Sequence, residues 1–253
     1  MKRIFMWAAV TAFIIVLSAC GQQLSKEEIV NQAASKDFNS FKAAVKMNMH
    51  IEANGQQLDQ SMNFAMKYKK DPFLTQLTMH TIEGDLEMYF NQDYAYIMNP
   101  ETDQWVKTSI ADVEELEALT DPKAMEQDLE RINQFTDVFE FERTEEGYKL
   151  HTAIDEASSE QQLSLVKDVL KDAMKENNEE GQFTIEKVNQ FDYTVQLDKD
   201  LYLKKASVKM DVSVTVDGKP VKFDVQVDAD YDKINQMESL SLPEEVKQNA
   251  KEL

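Results

Sequence analysis

The stretch VKMNMHIEANGQQLDQSMNFAMKY, residues 45–68, decides the fold class. Val45, Met47, Met49 and Ile51 alternate with Lys46, Asn48, His50 and Glu52, the period-2 pattern of a strand with one buried face. Asn54-Gly55 supplies the positive φ angles of a two-residue hairpin turn. The return strand places Met62, Phe64, Met66 and Tyr68 on one side, and Asp71-Pro72 ends it.

The pattern continues downstream. Phe73, Thr75, Leu77 and Met79 alternate, Gly84-Asp85 turns the chain, and Leu86, Met88 and Phe90 return. Tyr94, Tyr96 and Met98 extend the meander to Asn99-Pro100, and a short strand around Trp105-Val106-Lys107 closes the first block. The period then changes. Met125, Leu129, Ile132 and Phe135 recur at three- and four-residue steps, which predicts an amphipathic helix. A hairpin is expected from Val138–Glu142 and Tyr148–Ile154 about Glu146-Gly147. A second helix carries Leu163, Val166, Leu170 and Met174, ending in the polar stretch Glu176 to Gly181. The last third returns to strands. Phe183 and Ile185 open it, Tyr193, Val195 and Leu197 follow, and a long run extends from Ala206 to Val216. Asp217-Gly218 reads as a hairpin turn into Val221, Phe223, Val225, Val227 and Ala229. A short helix near Pro243 to Lys251 finishes the chain. Two strand blocks separated by helices, joined by hairpin-length turns, predict an antiparallel α+β fold.

Upstream of the quoted stretch, Ser25 and Glu28 form a capping-box pair and Leu24 with Ile29 stands at the spacing of a hydrophobic staple. A helix from about Lys26 to Ser35 is expected within an N-terminal segment, 21–36. Before it lies a leader. Lys2 and Arg3 precede an apolar run from Ile4 to Leu17, interrupted only by Thr11, and the small residues Ser18 and Ala19 precede Cys20. That layout is a secretory signal peptide, residues 1–19, and the apolar run is too short for a membrane span. Leu17-Ser18-Ala19-Cys20 resembles the bacterial lipobox, which implies that Cys20 becomes the first mature residue and carries diacylglycerol with palmitate-type chains. Cys20 is the only cysteine, so a disulfide within the chain is excluded. Two acyl chains anchor a protein stably. The expected location is therefore the extracytoplasmic face of the cell membrane, with residues 20–253 as one domain.

Charge excludes other partners. Loss of the leader removes Lys2 and Arg3, leaving 25 basic against 47 acidic residues, a net −22. Such a chain is repelled by nucleic acid and by anionic lipid, so the lipid does the tethering. The sequence holds no Gly-rich phosphate loop, nucleophile elbow or His-Glu-x-x-His. His50, His80 and His151 fall on the polar sides of strands, in no metal-ligand spacing. Asp198 with Asp200, and Glu114 with Glu115, read as solvated carboxylates. The expectation is a protein without enzymatic activity, cofactor or metal.

Thirteen methionines are the compositional oddity. Met47, Met49, Met62, Met66, Met79 and Met88 occupy apolar strand faces beside Phe64 and Phe73. Methionine recurs at surfaces that take varied apolar partners, which makes these eight residues the candidate lining for a hydrophobic ligand. The same side chains also serve as the face on which two middle helices pack. A carrier leaves a void of roughly several hundred cubic ångströms there, and a filled core leaves none.

Met47-Asn48-Met49-His50-Ile51 running into Asn54-Gly55, the strand Tyr94-Ala95-Tyr96-Ile97, and Gln104-Trp105-Val106-Lys107 before the helices together resemble the LolA/LppX-type lipoproteins, in particular their Gram-positive members. The resemblance implies a curved antiparallel half-barrel with helices covering its concave face, and a lipid or other hydrophobic ligand between them. It transfers no binding-site motif. An alternative is an envelope interaction or sensor module with a filled core, whose partner is another envelope protein.

Overall fold

The computed structural model describes residues 24–81, 84–100, 102, 104–110, 123–175 and 183–252. The leader, Cys20, Glu114, Glu115 and the Glu176–Gly181 stretch lie outside these residues, as do the side chains of Met125 and Met174.

Helix α1, Lys26–Ala34, starts at the expected capping box, with Ser25 Oγ accepting from Glu28 N and the Glu28 carboxylate accepting from Ser25 N. A meander follows: β1 Ser40–Ala53, β2 Gln56–Lys69, β3 Leu74–Thr81, β4 Gly84–Phe90, β5 Tyr94–Asn99 and β6 Gln104–Ser109. Then come α2 Lys123–Gln134, the hairpin β7 Glu140–Arg143 with β8 Gly147–Ile154, and α3 Glu160–Lys175. The last block is β9 Phe183–Asp198, β10 Leu203–Val216 and β11 Lys219–Asp232, then α4 Glu244–Asn249 and the two-residue β12 Lys251–Glu252.

All twelve described strands form one sheet, in the order β12-β6-β5-β4-β3-β2-β1-β11-β10-β9-β8-β7. Every pairing is antiparallel except β12 with β6. The two blocks join where β1 pairs with β11, so the sheet is an open half-barrel with β7 at one end. Of the expected turns, Asn54-Gly55 and Asp217-Gly218 lie where placed, whereas Gly84 and Asp85 already belong to β4, paired with Thr81 and His80. Asn54 and Gly55 have φ of 53° and 75°, and Asp217 and Gly218 have 49° and 79°. At the β7–β8 turn glycine is obligatory for a second reason: a Cβ on Gly147 would stand 2.1 Å from the Leu197 carbonyl oxygen.

Register fixes which side chains share a face, because residues directly opposite point the same way. One row runs across nine strands: Leu86, Met79, Phe64, Val45, Ala229, Ala206, Val195, Leu150 and Phe141. This is the inner face. Leu129 and Ile132 of α2, Leu165, Val166 and Leu170 of α3, and Ile29, Val30 and Ala33 of α1 bury themselves in one core with Phe191, Tyr193, Val195 and Val212 from that face.

Several details depart from the sequence reading. Val138 ends a single 3-10 turn, Thr136–Val138, and β7 begins at Glu140. Tyr94, Tyr96 and Met98 point to the outer face, leaving Ala95 and Ile97 on the inner one. The reason is a second apolar layer. Leu242 and Val246 of the C-terminal segment pack on Leu74, Tyr89 and Tyr96, with Trp105 against them, while Leu77, Met88, Phe90 and Ala95 are buried on the inner side. This part of β3–β5 is therefore apolar on both faces, and alternation loses its meaning. β9 pairs irregularly with β10 around Asp211–Val214, which brings Val188 opposite Val212.

Candidate ligand-binding face

The inner face is unevenly covered. Away from the Asn54-Gly55 hairpin, Phe41 and Tyr68 are buried in the core shared with α1, and Leu77, Met88 and Phe90 are buried in a cluster of their own. Under α2 and α3, Leu150, Phe191, Val195 and Val212 are sealed, none more than 1% exposed. Toward the Asn54-Gly55 hairpin, on β1 to β4 and β11, burial relaxes: Val45, Met47, Met49, Ile51, Met62, Phe64, Met79 and Leu86 are half-buried, as are Val221, Phe223, Val225 and Val227. At the rim, Leu58 is 53% exposed.

Of the eight candidate lining residues, six share this region. Met47 stands opposite Met62 and Val227; Phe64 lies between Val45 and Met79; Met66 faces Ala43 and Leu77; Met49 faces Val225 and Gln60. The other two sit apart. Met88 is 4% exposed in the core of β3–β5. Phe73 precedes β3, its ring edge-on to Tyr68 at 6.1 Å, and packs with the closed end.

The half-open region carries no charge. Its inner-face positions from Phe41 to Ala53, Gln56 to Tyr68, Thr75 to Thr81, Gly84 to Phe90 and Val221 to Tyr231 hold apolar side chains, glutamine, threonine, tyrosine and glycine. The charges alternate to the other side. His50 Nδ1 meets Asp59 at 2.6 Å and His80 Nδ1 meets Asp85 at 2.8 Å, while His151 Nδ1 lies 2.9 Å from Thr194 Oγ1. Each histidine thus has a cross-strand partner, and among the described residues no group of three His, Cys, Asp or Glu side chains is placed to hold a metal. Asp198 Oδ1 accepts from the backbone N–H groups of Asp200 and Tyr202, both at 2.9 Å, and so shapes the β9–β10 turn.

A polar feature the sequence reading did not find sits at the sealed side. Arg131 of α2, its side chain 11% exposed, reaches Asp168 of α3 with Nε at 3.0 Å and Asp128 at 2.6 Å. This clamp ties the two helices together above Tyr193. Burial pushes the Tyr193 phenol well above its ordinary range, with Asp128 adding to the effect and Arg131 opposing it. Burial also raises Tyr231, to about 12, again with help from Asp128. The available signal was Asp128 and Arg131 three apart on a helix, which names no partner on another helix.

Over residues 25–251 the sequence matches the family described as "Family of unknown function (DUF6612)". The chain belongs to the DUF6612 family. No curated protein matches this DUF6612 chain. Solved structures do. The lipoprotein LppX of Mycobacterium tuberculosis is 12% identical with a TM-score of 0.44, covering 88% of this chain and all of that one. A LolA superfamily protein of Nitrosomonas europaea is 12% identical with a TM-score of 0.28, covering 88% and 97%. A putative outer membrane lipoprotein-sorting protein domain of Vibrio parahaemolyticus is 7% identical with a TM-score of 0.29, covering 88% and 96%.

Proposed function

We propose that this protein is a non-enzymatic lipoprotein, tethered through Cys20 to the extracytoplasmic face of the cell membrane, that binds the apolar chain of a lipid or similar hydrophobic ligand. The observation that carries the reading is the uncharged, half-open face around Met47, Met62, Phe64 and Met79. A contiguous apolar surface left only partly covered on a folded domain points to a binding site. Thioether side chains adapt to ligands of varied shape, and a face without charge suits an acyl or isoprenoid chain better than a headgroup. The leader and lipobox at residues 1–20 support the location.

Native mass spectrometry of protein extracted from membranes in mild detergent tests this. We expect an adduct of lipid mass beyond the covalent anchor, and Met62→Glu should deplete it while Lys209→Ala on the outer face should not. A bare protein mass in every preparation, with no lipid in the organic extract, removes the proposal. The rival reading is a docking module for a basic envelope protein. It draws on the row Asp224, Asp228, Asp230 and Asp232 along the outer side of β11, and membrane crosslinking that captures one dominant basic partner would favour it.

A further inference from the structure

Sulfur is concentrated where the inner face is open. Met47, Met49, Met62, Met66 and Met79 are half-buried on three adjacent strands, with Met47 directly opposite Met62. The buried methionines of the same face, Met88 and Met210, are 4% and 6% exposed. Met98 and Met237 are also half-buried but lie elsewhere: Met98 points outward opposite Trp105, and Met237 follows β11. The molecule therefore holds accessible methionines on the candidate face, shielded ones beside it, and accessible ones away from it.

We propose that this methionine cluster makes apolar-ligand binding sensitive to peroxide, reversibly. A thioether lone pair attacks one oxygen of hydrogen peroxide. The S–O bond forms as the O–O bond breaks, and the proton on the attacked oxygen goes to the departing hydroxide, which leaves as water. Sulfur loses two electrons and the peroxide gains them. The product sulfoxide is polar, and methionine sulfoxide reductases restore the thioether with two electrons and two protons from a dithiol, which becomes a disulfide as the sulfoxide oxygen leaves as water. Location gives the chemistry its consequence. No charged side chain stands on this face to meet a new S=O group. The nearest side-chain donor, Gln60 Nε2, already lies 3.4 Å from Met62 Sδ. Gln60 can therefore meet a sulfoxide at Met62, but sulfoxides at Met47 and Met79 would put unpaired dipoles where the ligand's hydrocarbon chain sits, and one such dipole weakens binding by about tenfold. Leucine would fill the same positions without this liability.

The inference rests on the binding proposed above, and one experiment separates the two. The full chain is titrated with the apolar fluorophore N-phenyl-1-naphthylamine before and after hydrogen peroxide treatment, with peptide mass spectrometry mapping sulfoxides and far-ultraviolet circular dichroism following the fold. We expect the untreated protein to bind the probe, and oxidation at 47, 49, 62, 66 and 79 to outpace that at 88 and 210. Affinity should fall about tenfold or more with the fold intact, and reductase treatment should restore it. A Met47→Leu, Met62→Leu, Met79→Leu variant should keep binding after peroxide, whereas Met98→Leu, Met237→Leu should lose it as the parent does. An untreated protein that ignores the probe overturns the binding proposal. A protein that binds it equally well with the face methionines oxidised overturns the switch alone. That readout needs no substitution, so it stands even if the leucine variants fail to fold.

Discussion

The two halves of the inner face are built from different side chains for different ends. Across β9 and β10 the face carries Val188, Phe191, Tyr193, Val195, Val212 and Val214 with a single methionine, Met210, all buried with the helices. Across β1 to β3 it carries Met47, Met49, Met62, Met66 and Met79, half-buried on an uncharged face. β-Branched and aromatic side chains lose little rotamer freedom on a pleated surface and pack into one arrangement. Methionine keeps three rotatable bonds and adapts to what it meets. One half is filled by the protein itself, and the other is left open to the ligand proposed above.

Stability should separate the halves most sharply. Phe191→Ala, at a fully buried position, should cost about 3–5 kcal/mol in chemical denaturation. Met47→Ala should cost about 1 kcal/mol, because its half-exposed side chain has less burial to lose. Equal losses would erase the distinction. Next comes the clamp that seals the filled half: Arg131→Met leaves Asp128 and Asp168 without their shared cation and should cost about 1–3 kcal/mol.

Alkaline pH acts on the same half. Tyr231 is raised from an ordinary value of 10 to about 12 because the folded state favours its neutral phenol. The folded protein therefore holds more protons than the unfolded chain between those values. This stabilisation is complete below pH 10 and is lost as pH rises toward 12. Tyr231→Phe should flatten part of that decline in a pH series of denaturation midpoints. The smallest effect is expected at the closed end. Thr75 Oγ1 is buried with no hydrogen-bond partner among the described residues, so Thr75→Val should stabilise by about 1 kcal/mol. Unchanged or lowered stability would mean that the hydroxyl is satisfied in solution.

Much of the fold was legible because alternation and turn chemistry agree. Val45 to Ile51 reads as a half-buried strand and is one, and Asn-Gly and Asp-Gly turn where positive φ is required. Legibility failed where a strand is apolar on both sides, as at Tyr94–Met98, since period 2 then cannot say which side faces in. It failed again at β12, two residues that pair with an edge through long-range contact and not through any pattern of their own. The candidate face was legible as a set: methionines at alternate positions of consecutive strands must meet in register. Their exposure was not, because it depends on how far α2 and α3 reach across the sheet. Arg131 escaped for a related reason, since Asp168 lies on a different helix.

The most direct test is photo-crosslinking of the membrane-extracted protein with a diazirine-bearing fatty acid, followed by peptide mapping. Labels should fall on the peptides spanning β1, β2 and β11, at Met47, Phe64 or Val225, and free fatty acid should compete them away. Labels confined to outer-face positions, or none above a denatured control, would contradict the account.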